Sequence, residues 1–335
     1  MSKGWYKTED ANGLYYSHTA RKKSHYIPVG DGTISPTPLQ MAEAANKYPN
    51  GNLECNGKLM CEYDMALTTQ DRMVLPNGHY VFMPSSPMGG EPDRLMPVEL
   101  RDDTYLKMNS HYDPLADDLK AFIASEEIYR RIGILYKRGA LLYGPPGQGK
   151  TSLIRALIKK EIPADSVVIF LDCLPGNGML NALKAHLADR LKVFIFEEMA
   201  NVIENARLER VLDFLDGEKS MDRSIVIATT NYPERLPGNI VDRPSRFDRV
   251  IKMGNPNKEE RRILLDHYLM RPSTDLEVDA SKDLSTAAIK EACILTFLKQ
   301  LTIQQAAKFM SDHSKLVAKD FSETRKLGIG REYED

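Results

Sequence analysis

The stretch "ALLYGPPGQGKTSLIRALI", residues 140–158, runs from an apolar strand-like segment through a glycine- and proline-rich loop into a helical pattern. The loop carries the spacing G-x-x-x-x-G-K-[ST], filled by Gly144, Gly149, Lys150 and Thr151. A chain of this length shows that spacing by chance only about 1% of the time, so an ordinary glycine turn is the poorer reading. Beyond the loop, Leu153 and Leu157, and Ile154 and Ile158, repeat at the four-residue spacing of one helix face. Strand, loop and helix in this order are the context that a phosphate-binding loop requires.

The residue types follow from that chemistry. Glycine lets the backbone wrap tightly, so that loop N–H groups and the following helix N-terminus converge on phosphate oxygens. The segment expected to hold the nucleotide is Gly144, Pro145, Pro146, Gly147, Gln148, Gly149, Lys150, Thr151 and Ser152. Lys150 is expected to reach the β- and γ-phosphates, and the Thr151 hydroxyl to coordinate Mg²⁺.

Three later stretches add the chemistry of hydrolysis. "VFIFEEMAN", residues 193–201, runs an apolar strand into Glu197 and Glu198. Neighbours on an extended chain point in different directions, so Glu197 is expected on the metal side and Glu198 beside an attacking water. "SIVIATTNYPERL", residues 224–236, ends a second strand in Thr229, Thr230 and Asn231. "DRPSRFDR", residues 242–249, sets Arg243, Arg246 and Arg249 three residues apart. Alone that cluster reads as surface ion pairs. After a phosphate loop it reads as a source of arginine fingers, worth roughly 10³ to 10⁵ in rate.

Composition narrows the setting. A formal net charge of -2 gives no footprint for nucleic acid or an anionic membrane. Four cysteines are too few for a disulfide framework, and Cys55 and Cys61 lack the paired spacing of a zinc site. The N-terminus lacks the apolar core of a signal peptide, and no apolar run reaches the roughly 20 residues of a membrane span. A soluble, cytoplasmic protein with no membrane partner is expected.

The chain is expected to divide at about residues 105, 255 and 320. Residues 1–105 read as a β-rich domain and linker, with Asn-Gly pairs in "LECNGKLMCEY" and "MVLPNGHYVFM" as two hairpin signals. "MPSSPMGGEPD", residues 83–93, reads as the linker. Residues 106–255 alternate helical patterns with the runs "ALLY", "VVIFL", "VFIF", "SIVIATT" and "RVIKM", which predicts an α/β core with a parallel sheet. One helical pattern covers residues 115–130. Residues 256–320 read as helices only, the first opened by Asn257 and Glu260 in capping-box spacing. Residues 321–335 read as a frayed tail.

Together "GPPGQGKT", "FIFEE", "ATTN" and "RPSRFDR" resemble the AAA+ ATPases, specifically the AAA proteins proper, over about residues 115–312. The core is most similar to the branch of the mitochondrial translocase of the Rieske iron–sulfur subunit, whose membrane helix has no counterpart here. "YRRIGILYKRGALLYGPPGQGKTSL" and the short path to "VFIFEE" carry that likeness. In that branch the acidic pair also has glutamate first.

The resemblance implies a P-loop αβα core with a five-stranded parallel sheet, a helical lid, bound ATP and Mg²⁺, and a homo-oligomeric ring of six or seven subunits. It assigns Lys150, Glu198, Asn231, Arg243 and Arg246 to catalysis, the arginines acting on a neighbour's ATP, and Thr151 and Glu197 to the metal. Aromatic pore loops grip polypeptide in many relatives. The matching "CLPGNGML", residues 173–180, has no aromatic, which leaves Leu174, Met179 and Leu180 to face a pore or to pack. The expected function is remodelling or translocation of a protein partner, bound by residues 1–105. The alternatives are a nucleic-acid motor or loader and an ATP-dependent assembly switch.

Overall fold

Apolar runs without alternation make strands only where both faces are covered, and all five such runs become neighbouring parallel strands. The computed structural model describes residues 75–85, 93–100, 106 and 109–312, apart from 218 and 244, together with the backbone of six strands that precede them. Those six are β1 (Trp5–Asp10), β2 (Gly13–Ser17), β3 (Lys22–Pro28), β4 (Gly51–Leu53), β5 (Lys58–Asp64) and β6 (Arg72–Met73). Then come β7 (Gly78–Met83), β8 (Arg94–Pro97), β9 (Lys137–Tyr143), β10 (Val167–Leu171), β11 (Lys192–Phe196), β12 (Ser224–Thr230) and β13 (Arg249–Lys252).

The parallel part of the main sheet runs β13-β9-β12-β11-β10-β7. It therefore has six strands where five were expected. The added strand, β7, covers the outer edge of β10, which would otherwise present unpaired N–H and C=O groups. The sheet continues antiparallel through β8, β2, β1 and β6, so ten strands share it.

Strand β7 thus belongs to the core sheet although it falls within residues 1–105. The segment 83–93 joins paired strands of one sheet, with Met83 opposite Arg94. Of the two hairpin signals, the first is realised: β4 and β5 pair antiparallel with Leu53 opposite Leu59. The second is not. β6 pairs with β1, whereas β7 pairs with β10 and β8, because the apolar edge of the parallel sheet outcompetes a local turn.

Each central strand feeds two cores. In β11, Phe194 and Phe196 pack on one face, while Val193 and Ile195 pack on the other. The first face is covered by helices Asn177–His186, Met199–Asn205 and Leu208–Asp216. There Phe214 meets both β11 phenylalanines edge-on, with ring centroids 5.2 and 5.5 Å apart. The second face is covered by helices Asn109–Ile123 and Lys150–Glu161.

The helical pattern of residues 115–130 resolves into two helices, Asn109–Ile123 and Glu126–Ile132. Between them the Phe122 carbonyl, at the first helix's end, accepts from the Ser125 hydroxyl at 2.7 Å, the Ser125 N–H at 2.9 Å and the Tyr136 hydroxyl at 3.0 Å. Met179 and Leu180 are buried in the first core and Leu174 packs against it. Their side chains serve packing.

The C-terminal helices form their own cluster around Leu264, Leu265, Val278, Ile289 and Ile303. Helix Lys258–Leu269 begins with the expected capping box, Asn257 and Glu260 exchanging bonds of 2.9 Å. Helix Thr286–Lys299 follows its cap Ser285, and residues 303–312 are also helical. The helix Asp275–Ala280 was not anticipated, since six residues are too few for periodicity to speak. Its signal is the capping box of Thr274 and Glu277. Residues 313–335 lie outside the described part, the expected tail among them.

Candidate nucleotide site

The carboxyl ends of β9, β12 and β11 lie side by side, and the chain leaves β9 into the glycine-rich loop, β12 at Asn231 and β11 at Glu197. This is where open α/β sheets bind ligands. After β9 the loop turns back at Gly144, whose N–H donates to the Thr230 carbonyl at 3.2 Å. A Cβ on Gly144 would stand 2.0 Å from the Met253 carbonyl oxygen, and its φ of 147° also excludes other residues. Glycine is required there.

Gly149 caps the helix Lys150–Glu161, and Lys150 is buried at its start. The Lys150 ammonium donates to the Gly144 and Pro145 carbonyls at 2.6 and 2.8 Å. Burial lowers its pKa, while the charge of Glu198 raises it in part. A cation held in the mouth of a loop of backbone donors suits a phosphate.

Glu197 and Glu198 directly follow β11, and both line one cavity. Burial pushes the Glu197 carboxyl up, with Arg155 opposing and Asp172 adding to the rise. Glu198 caps the short helix Met199–Asn205 with φ 56°, a left-handed conformation that costs of order 1–3 kcal/mol for a residue with a side chain. Its N–H donates to the Thr229 hydroxyl at 3.1 Å. Its carboxylate accepts from the Thr230 hydroxyl at 2.8 Å, from the Asn231 N–H at 2.9 Å and from the Asn231 side-chain amide. The strained backbone thus aims the carboxylate at the end of β12.

These groups enclose a cavity of about 690 Å³, a size that suits a nucleotide. It is lined by the loop from Pro146 to Ser152 and by Glu197, Glu198, Thr229 and Asn231. The lid supplies the rest, with His267, Tyr268, Thr286, Ala287 and Lys290. Those five were missed in the sequence. Thr286 and Lys290 share a helix face, but only the packing of the lid turns that face toward the loop.

Arg243 and Arg246 do not line this cavity. Both contact the same Asp216 oxygen, at 3.2 Å and 2.9 Å, and Arg246 also donates to the Asn239 carbonyl. Their exposure differs sharply: the Arg243 side chain is 66% exposed and that of Arg246 is 5% exposed. Burial pushes the Asp216 carboxyl up, but hydrogen bonds from Arg246 and Ser245 and the arginine charges outweigh it and hold the pKa low. Arg249 lies apart from them, paired with Asp118 at 2.8 Å.

Residues 140–255 match the family model described as "ATPase family associated with various cellular activities (AAA)". Fold, site and match define this part of the chain as an AAA ATPase domain. Among similar proteins is a "Probable mitochondrial chaperone bcs1" of Schizosaccharomyces pombe, 32% identical over 169 residues, 46% of this chain and 36% of that one. "Probable mitochondrial chaperone BCS1-A" of Dictyostelium discoideum is 32% identical over 202 residues, 55% of this chain and 48% of that one. "ATP-dependent zinc metalloprotease FtsH" of Marinobacter nauticus is 29% identical over 180 residues, 48% and 28% of the two chains. This chain therefore spans less than half the length of each of these relatives. Among the described residues no helix is long and apolar enough to cross a membrane.

Proposed function

We propose that the chain is a subunit of a homo-oligomeric ring, a hexamer or heptamer, that couples ATP hydrolysis to remodelling or translocating a protein partner. One observation carries this reading. Among the described residues no arginine lines the cavity, while Arg243 stands exposed outside it. The charge that develops on a transferred phosphoryl group calls for such a cation, and Arg243, exposed beyond its contact with Asp216, can supply it to a neighbour. A contact of that kind is head-to-tail, and a head-to-tail contact whose rotation closes gives a ring.

In the proposed reaction, water attacks the γ-phosphorus in line with the bond to ADP. Glu198 accepts the proton of that water as the P–O bond to ADP breaks, and phosphate leaves. Lys150 stabilises the transferring group, and Asn231 orients Glu198. Thr151 and Glu197 would hold Mg²⁺, because a hydroxyl and a carboxylate lining one cavity are the oxygen donors that a hard cation takes. The ion, when bound, neutralises phosphate charge.

Residues 1–105 are the proposed contact for client or adaptor, since residues 173–180 offer no aromatic and bury Met179 and Leu180. The net charge of -2 supports a protein over a nucleic acid as that client. Free Cys173 and Cys293 support a reducing, cytoplasmic setting.

The test is phosphate release per chain as a function of protein concentration. A steep rise as chains assemble is expected. Turnover per chain that is independent of concentration, from a species shown to be monomeric, would overturn the ring.

A further inference from the structure

We propose that Gln148 and Asn255 form a relay through which the phosphate loop sets the position of the helical lid. This rests on the reading of the cavity as a nucleotide site. Gln148 is 3% exposed and lines the cavity, and its amide Nε2 donates to Asn255 Oδ1 at 2.6 Å. Asn255 Nδ2 donates in turn to the Asp283 backbone carbonyl at 2.9 Å. Asp283, at φ 65°, stands two residues before the cap of helix Thr286–Lys299.

The direction of the relay is fixed by chemistry. A backbone carbonyl only accepts, so the Asn255 atom facing Asp283 is the amide nitrogen. That leaves Asn255 Oδ1 toward Gln148, which must then donate and keep its own oxygen. Gln148 Oε1 is buried and has no partner among the described residues. Phosphate oxygens, being acceptors, cannot use it.

A second tie runs alongside. The Ala287 N–H donates to the Gly147 carbonyl at 2.9 Å. Gly147 has φ 77°, and a Cβ there would lie 3.1 Å from Ala287 Cβ and 3.2 Å from Ser285 Oγ. Consecutive residues of the loop, Gly147 and Gln148, thus hold the start of one lid helix from two sides. A shift of the loop around phosphate moves both anchor points together. Gln148 is a positioning residue in this arrangement.

The test uses the full chain with ADP as probe, reading ADP affinity and hydrogen exchange of residues 283–290. Asn255→Asp keeps the acceptor toward Gln148 but places a carboxylate against the Asp283 carbonyl, so only the lid side is cut. Asn255 lies outside the cavity lining. Coupling is reciprocal, so the ADP-dependent slowing of lid exchange and the ADP affinity should both fall by the same factor, about three- to tenfold for one hydrogen bond. Asn255→Ala, at the same exposed position, cuts both bonds of the relay and should show at least the same loss if the aspartate variant is poorly folded.

Unchanged lid protection and affinity in either folded variant would overturn the relay. A loss of protection with full ADP affinity would also overturn it. Failure of the unaltered chain to bind ADP would instead bring down the nucleotide reading, and the relay with it.

Discussion

Asn231 donates to the Glu198 carboxylate from both its backbone N–H and its side-chain amide. One residue that the resemblance assigns to catalysis thus holds the residue expected beside the attacking water. Each acts through the other, and substitutions at the two positions should differ in kind.

Glu198→Gln keeps the size and the acceptor oxygen but loses the base. It should bind ATP as the unaltered chain does and lose about 10²- to 10⁴-fold in turnover. Phosphate release and nucleotide titration on one preparation check this. Asn231→Ala leaves the base but frees it, so a smaller loss in kcat with little change in KM is expected.

Arg243 and Arg246 share an aspartate but not an environment. Arg246→Ala leaves Asp216 short of its buried partner and should destabilise the fold by about 3–5 kcal/mol. Arg243→Ala removes an exposed side chain and should leave the melting temperature almost unchanged while abolishing turnover. Calorimetry and phosphate release separate the two.

The lid carries a pH signature. The Glu277 pKa is held down at about 2, below its ordinary 4.5, chiefly by hydrogen bonds from Arg271, with burial opposing and Thr274 adding to the effect. A carboxyl lowered in the folded state stabilises it above the unfolded pKa, and that contribution is lost as pH falls from 4.5 toward 2. Glu277→Gln should lower the melting temperature at pH 7 and flatten its decline over that range. A parallel, unflattened decline would show that Glu277 is not linked.

Gly144→Ala should fail structurally before it fails chemically. The new methyl group would collide with the Met253 carbonyl, a backbone atom that cannot rotate away. Loss of ATP binding together with a drop in melting temperature is expected, unlike the stable Glu198→Gln.

Much of this was legible in residues 139–254 and less elsewhere. Strands buried on both faces announce themselves as apolar runs, so β9 to β13 and the loops that leave them could be placed from sequence. Lys150, Glu197, Glu198 and Asn231 then meet in one cavity because each follows a strand end. The lid residues His267, Tyr268 and Lys290 have no such marker, since their position depends on how separate helices pack. The parallel pairing of β7 was hidden because a polar turn, Asn77–Gly78, reads the same whether it closes a hairpin or precedes a distant pairing. The burial of Arg246 was hidden too, because its partner Asp216 lies 30 residues away.

The central claim, that one chain's site is completed by another chain's arginine, is tested most directly by mixing Glu198→Gln with Arg243→Ala. Each alone should be inactive in phosphate release. In mixed assemblies an intact base meets an intact arginine across an interface, and turnover should return well above the sum of the two. A mixture no more active than its separate components, with assembly confirmed, would contradict the claim.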